Sequence, residues 1–176
     1  GTVLLPLIAL ITHFPVIGWA KPTPVDPRNF KHLVRDDILT SVAGPVSNFL
    51  VAISAVVALV IISVFTPGGR IVVYNAISFH FTQEFLVESS SSLLPVALLL
   101  YDFMLINVLL GVFNLIPVPP LDGSHVVRHF LSDDVRRVYD SVGIFGLMLL
   151  MFFGGRFLGA LMFPVVNFFN SILMKI

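Results

Sequence analysis

The sequence predicts an all-α polytopic integral membrane protein, and three observations carry that expectation. Only 11% of its 176 residues are charged, less than half of the roughly 25% found in a soluble domain. That is too few to cover a water-facing surface. Hydrophobic residues make up 57% of the chain, and mean hydropathy is +0.99. Finally, the apolar residues gather into long blocks, and about 20 such residues as a helix cross ~30 Å of hydrocarbon. A formal net charge of zero leaves no basic footprint, so nucleic acid is not an expected partner. Cysteine is absent, which excludes a disulfide framework, a cysteine zinc site and a thiol nucleophile.

Four transmembrane or membrane-associated blocks are expected in one membrane-embedded domain, 1–176. Residues 2–17 fall just short of span length. The chain starts Gly1-Thr2-Val3 with no charged segment before the apolar run, so this block reads as a span begun upstream rather than as a signal peptide. Next comes GWAKPTPVDPRNFK, with Pro22, Pro24 and Pro27. Each proline biases the residue before it towards extended geometry, which predicts an extended loop. Residues 38–65 and 93–116 are clear spans. Between them, 66–92 is apolar enough to lie on a membrane surface, and its pattern leaves helix and strand both open. The last block, 138–174, is interrupted by Gly154-Gly155-Arg156. An arginine at mid-bilayer costs at least ~2.5 kcal/mol, so a span at about 138–154 followed by a C-terminal interfacial helix is expected, with Phe157, Leu161, Val165, Phe168, Phe169 and Ile172 on its apolar side.

Charge asymmetry orients these blocks. Residues 18–37 carry Lys21, Arg28, Lys31 and Arg35, and 118–137 carry Arg128, Arg136 and Arg137, whereas 66–92 has only Arg70. The 18–37 and 118–137 loops are therefore expected on the cytoplasmic side of the cell membrane.

The segment that asks for a function is NLIPVPPLDG, residues 114–123. A proline-rich stop followed by Asp-Gly can be no more than a helix terminus and a turn. Three features point further. Asn114 lies inside an apolar span, where an unpaired amide is costly. Pro117, Pro119 and Pro120 free backbone carbonyls at the membrane boundary, which only protein or a water-filled cavity can satisfy. Asp122 is an ionisable group at the end of a span, a functional candidate by default.

Asn-x-x-Pro-x-Pro-x-Leu-Asp-Gly, matched by Asn114, Pro117, Pro119, Leu121, Asp122 and Gly123, resembles the second signature of the site-2 protease family (peptidase family M50), the intramembrane zinc metalloproteases. AGPVSNFL, residues 43–50, is similar to that family's glycine-bearing helix, with Gly44 and Asn48 as its small and polar positions. The proline-rich loop resembles the one that prokaryotic members place between spans. The resemblance covers residues 1–131 and implies regulated intramembrane proteolysis of a partner membrane protein, with one catalytic Zn2+. It makes Asp122 the third zinc ligand and Asn114 the group that positions the scissile carbonyl or its oxyanion. Gly44, Asn48, Pro117, Pro119 and Gly123 become supporting or substrate-binding positions. The other two ligands and the general base come, in the family, from a His-Glu-x-x-His helix. This sequence contains none. The resemblance places that helix just upstream of Gly1, so the chain is expected to be an N-terminally incomplete member that cannot hold the zinc alone.

His125 and His129 have the i, i+4 spacing of a metal-binding pair, but Val126 stands where a general base would be. They read as the polar start of a helix at the cytoplasmic surface. His13, His32 and His80 read as isolated boundary or loop residues, Asp102 as a packing or cavity-lining group that needs a partner, and Asn48 as a bridge between helices. Two other classes stay open: a non-catalytic scaffold that binds membrane helices, and a small transporter with Asp102, Asn114 and Asp122 along its path. The latter lacks the internal repeat many transporters show. Expected partners are a membrane protein with a transmembrane helix and the lipid bilayer. The sequence does not specify an oligomeric state.

Overall fold

The computed structural model describes residues 30–85 and 91–176, and His32–Ile176 form one unit. The 2–17 block and the proline-rich loop up to residue 29 lie outside the described residues, as does 86–90. Every regular element among the described residues is a helix. In chain order they are α1 (Leu33–Phe65), α2 (Gly69–Thr82), α3 (Leu94–Asn114), α4 (Asp122–Arg128), α5 (Asp133–Phe153) and α6 (Gly155–Lys175).

Three of these, α1, α3 and α6, are long and apolar enough to cross a membrane. At 1.5 Å per residue, α1 is roughly 50 Å long and so exceeds a ~30 Å hydrocarbon layer. Its first turns carry Arg35, Asp36 and Asp37, so the helix begins five residues before the apolar block and reaches past it into the polar region. Its flank carries Leu50, Ile53, Val57, Ile61 and Val64 exposed, and α3 likewise exposes Leu99, Phe103 and Ile106. Outward apolar faces on a charge-poor bundle suit a lipid surround.

The core lies where α1, α2, α3 and α6 meet, around Ala52, Leu59, Val72, Ala76, Met104 and Val108. Ala52 and Ala55 on α1 are small, which lets neighbouring backbones approach closely as membrane helices require. The segment left open between helix and strand is the helix α2. It starts by folding back on the end of α1. Gly68 is left-handed (φ 71°), a conformation glycine adopts without cost, and a Cβ on Gly69 would lie 2.0 Å from the Ile62 carbonyl oxygen. The backbone can make that turn only without a side chain there.

The C-terminal block differs from expectation. The break falls where Gly154-Gly155-Arg156 predicts it, with α5 ending at Phe153 and α6 starting at Gly155, but of these two 21-residue helices it is α6 that is apolar enough to cross a membrane. Arg156, in the first turn of α6, can reach polar surroundings and so avoids the mid-bilayer cost that argued against one continuous helix through it. α6 also enters the core: Phe169, Asn170 and Leu173 are buried, while Phe157 and Phe168 remain exposed. The Tyr101 hydroxyl of α3 donates to Asn170 Oδ1 at 3.0 Å, both groups buried. α5 keeps Asp133, Asp134, Arg136, Arg137 and Asp140 in its first half, and it packs beside the turn that ends α3.

Because a buried interhelical hydrogen bond contributes about 0.5–1.5 kcal/mol, Tyr101→Phe is expected to lower the thermal unfolding midpoint in detergent without loss of helix content. Circular dichroism melts of the two proteins check this, and coincident midpoints would mean that α6 is not held by Asn170.

Candidate functional site

The end of α3 is where the backbone changes character. The helix closes at Asn114, and Pro117, Pro119 and Pro120 then prevent helical hydrogen bonding. Residues 115–121 form a compact turn instead, with Val118 N–H donating to Ile116 O at 2.8 Å and Leu121 N–H to Val118 O at 2.9 Å. The Pro119–Pro120 peptide is cis. At Asp122 the chain re-enters a helix, α4, and its start lies directly against the end of α3. A Cβ on Gly123 would fall 2.2 Å from the Leu115 carbonyl oxygen. Glycine at 123 therefore brings Asp122 back to the same end of the bundle as Asn114.

α5 supports this turn from behind. The Tyr139 hydroxyl donates to the Pro117 carbonyl at 2.9 Å, which satisfies an acceptor exposed by the broken helix. A Cβ on Gly143 would lie 2.4 Å from Pro119 Cβ, and one on Gly146 3.1 Å from Val118 Cγ1. Tyr139, Gly143 and Gly146 follow helical spacing i, i+4, i+7, so one face of α5 is contoured to the prolines. Sequence reasoning did not identify this backing, although two glycines at helical spacing from a tyrosine were a readable signal.

The carboxylate of Asp122 points at α1. A Cβ built on Gly44 would be 2.9 Å from Asp122 Oδ2, so the carboxylate rests against a stretch of bare helix backbone. Pro45, next to it, is buried and cannot donate to the Ser41 carbonyl one turn earlier. Asn48 lies one turn further along α1, and Phe49 packs its ring against Gly111 of α3, where a Cβ would meet it at 3.0 Å. The two helices bearing Gly44 and Asn114 are thus in close contact just above the turn.

Asp122, Asn114 and Asn48 are half-buried, and none has a side-chain hydrogen bond among the described residues. The interhelical bridge expected of Asn48 is accordingly not seen among them. Burial pushes the Asp122 carboxyl above the usual carboxylate range, and His125 nearby works in the opposite direction by favouring the anion. A half-buried carboxylate left without donors and set against a glycine is a group whose lone pairs are available. Along the end of α3 and the start of the turn, Phe49, Val112, Leu115, Pro117, Phe157 and Leu161 line a hollow of about 440 Å³ with an apolar wall.

The histidine pair is not a free polar helix start. His129 Nε2 donates to Asp37 Oδ2 at 2.7 Å, and His125 Nδ1 lies 3.8 Å from the same oxygen. Asp37, on the first turns of α1, was not singled out from sequence. Arg128 pairs with Asp140 of α5 at 2.8 Å. His80 and Asp102 also come together, 2.6 Å apart, which supplies the partner that Asp102 required within its span.

Among the described residues no group of three or more His, Cys, Asp or Glu side chains is arranged to hold a metal ion. The donor set therefore fits a zinc centre only in part: Asp122 offers one carboxylate oxygen donor in a glycine cradle, and a complete site would need further ligands from elsewhere.

The family model described as peptidase family M50 matches residues 11–153. The Bacillus subtilis (strain 168) protein named "Putative zinc metalloprotease YwhC" is 28% identical over 177 aligned residues, which cover all of this chain and 69% of that protein. No solved structure matches.

Two glycines of the site are expected to respond differently to the same substitution. In Gly123→Ala the new Cβ meets the Leu115 backbone, which cannot yield, and a loss of about 1–3 kcal/mol in stability is expected. In Gly44→Ala it meets only the tip of the Asp122 side chain, which can rotate, so stability should change by less than ~0.5 kcal/mol while the carboxylate moves off α1. Thermal melts of both variants test the ranking, and equal losses would contradict the approach of Asp122 to Gly44.

Proposed function

The chain belongs to peptidase family M50, and on that premise we propose that it is the part of a site-2 protease-like zinc endopeptidase that supplies the third zinc ligand, Asp122, and the oxyanion-positioning amide, Asn114. The observation that carries this reading is the placement of Asp122. Its carboxylate is half-buried at the end of a helix of spanning length, set on Gly44, and free of donors among the described residues.

The remaining ligands and the general base are a His-Glu-x-x-His helix, which the 176 residues do not contain. A bound zinc ion would supply Lewis-acid polarisation of the scissile carbonyl and a water of lowered pKa. What this chain contributes is positional. The turn 115–121 keeps Asn114 and Asp122 at one end of α3, so the Asn114 amide can donate to an oxygen that gains charge at the same level as the carboxylate. Gly44 lets the carboxylate approach α1 without a side chain in between. The apolar hollow beside Pro117 suits an aliphatic side chain of an unwound substrate segment. Such a substrate, a transmembrane or juxtamembrane segment of a partner protein, must be extended, because a helix hides its peptide bonds in its own hydrogen bonds.

Asp37 near the start of α1 and His129 at the end of α4 are hydrogen-bonded, so these two segments share one end of the bundle. With the lysine and arginine asymmetry of the loops, this supports a site at the cytoplasmic face of a multi-pass cell-membrane protein.

Cysteine labelling tests the orientation directly, since the chain contains none of its own. Asp133→Cys should be modified by a membrane-impermeant maleimide only after the inner face is exposed, and selective labelling from outside would reverse the topology.

In the full-length protein, Asp122→Ala should abolish cleavage of a membrane-embedded substrate, because zinc would lose one of three protein ligands. Asn114→Ala should slow it by about 10²–10³, the usual effect of one oxyanion donor. Appearance of the cleaved fragment at matched expression is the measurement. Full activity in Asp122→Ala would defeat the protease reading in favour of a non-catalytic membrane-helix-binding scaffold.

A further inference from the structure

The bond between Asp37 and His129 lies at a particular register. Asp122 faces Gly44 of α1, and His129 faces Asp37. Seven residues separate the two members on each helix, 37 to 44 on α1 and 122 to 129 along α4 and its C-cap, and they pair in opposite order. Seven residues are close to two turns, about 10.5 Å, and return a helix to nearly the same face. The two short faces therefore run antiparallel and touch at both ends. One end is the bare backbone of Gly44 against the carboxylate of Asp122. The other is a charge-assisted hydrogen bond, with His125 between them, 3.8 Å from Asp37 Oδ2. Gly44 provides room but no attraction, so it cannot hold Asp122 in place. Among the described residues, the polar contacts between α1 and α4 are those of Asp37 with the two histidines.

We propose that Asp37 is a positioning residue for the site, acting through His129 and α4 to set where the Asp122 carboxylate stands against α1. This rests on Asp122 being a zinc ligand. α4 has seven residues, too short to be a stable helix by itself. Its start is fixed to α3 through Gly123 and its end is tied to α5 by the half-exposed Arg128–Asp140 pair, worth little on its own. Without the Asp37 anchor, α4 is free to swing about Gly123, and its first residue, Asp122, turns with it. The His129 ring is suited to the task, since Nε2–H donates to a carboxylate that can only accept.

The test uses the full-length, zinc-loaded protein and reads zinc release to a chelator along with kcat and KM. Loss of groups that orient a metal ligand typically lowers affinity 10–100-fold, so Asp37→Ala should release zinc about 10 times faster or more. It should lower kcat by a similar factor at little-changed KM. His129→Ala should do the same, and the double variant should be no worse than either single one, because both remove one bond. Asp37→Asn keeps an acceptor for Nε2–H and should recover most of the zinc retention, and it also serves if Asp37→Ala folds poorly. Zinc release unchanged in both Asp37→Ala and His129→Ala, or Asp37→Asn as damaging as Asp37→Ala, would overturn the proposal. A fall in melting temperature with zinc release unchanged would also overturn it, by reducing the bond to a structural tie. Asp122→Ala is run alongside: if it too retains zinc normally, the ligand assignment has failed. If it loses zinc while the Asp37 variants do not, the positioning role alone has failed.

Discussion

The approach of Asp122 to Gly44 constrains the rest of the site. A carboxylate can stand against the backbone of a membrane helix only where that helix lacks a side chain, and a Cβ at residue 44 would come within 2.9 Å of Oδ2. For the contact to form, α3 must stop early, the chain must turn within seven residues, and α4 must start pointing back at α1. Each condition has a visible cause. The prolines end α3 by removing donors, Gly123 permits the return against Leu115, and Tyr139 satisfies the carbonyl of Pro117 that the stop exposes.

The supporting structure is divided by depth. In the apolar layer, α1, α2, α3 and α6 are held by close packing around small residues and by few buried polar links, of which Tyr101–Asn170 joins the C-terminal helix to the centre. At the boundary the forces change. Asp37, His125, His129, Arg128 and Asp140 form ion pairs where water is within reach, and where such pairs do not have to repay full desolvation. The site sits at this border, so its carboxylate is partly desolvated by packing and still close to polar groups.

Much of the fold was legible because the bilayer simplifies the reading. Charge scarcity identified the solvent, and block length located α1 and α3 to within a few residues. At the end of the chain the break at Gly154-Gly155-Arg156 was legible and falls between α5 and α6, but which side suits a span was not: the charges from Asp133 to Asp140 occupy the first half of α5, and Arg156 sits in the first turn of α6. Residues 66–92 were ambiguous since α2 buries Val72, Val73, Ala76 and Ile77. A run of β-branched and aromatic residues fits a strand as well as a helix until its neighbours are known.

For the site, the amino-acid sequence by itself determined the chemistry on offer. It supplied one carboxylate bounded by prolines, an amide eight residues before it, glycines at 44 and 123, and no His-Glu-x-x-His. Those are properties of residue type and spacing, which local sequence states directly. Only the tertiary structure decided which of these groups meet. That Asp122 faces Gly44, that Asp37 captures His129 across 92 positions, that Tyr139 reaches Pro117 and that His80 finds Asp102 all depend on how helices are laid side by side. Helix packing is set by the fit of whole faces and not by any one residue, so contacts between distant segments cannot be read from the spacing within either one.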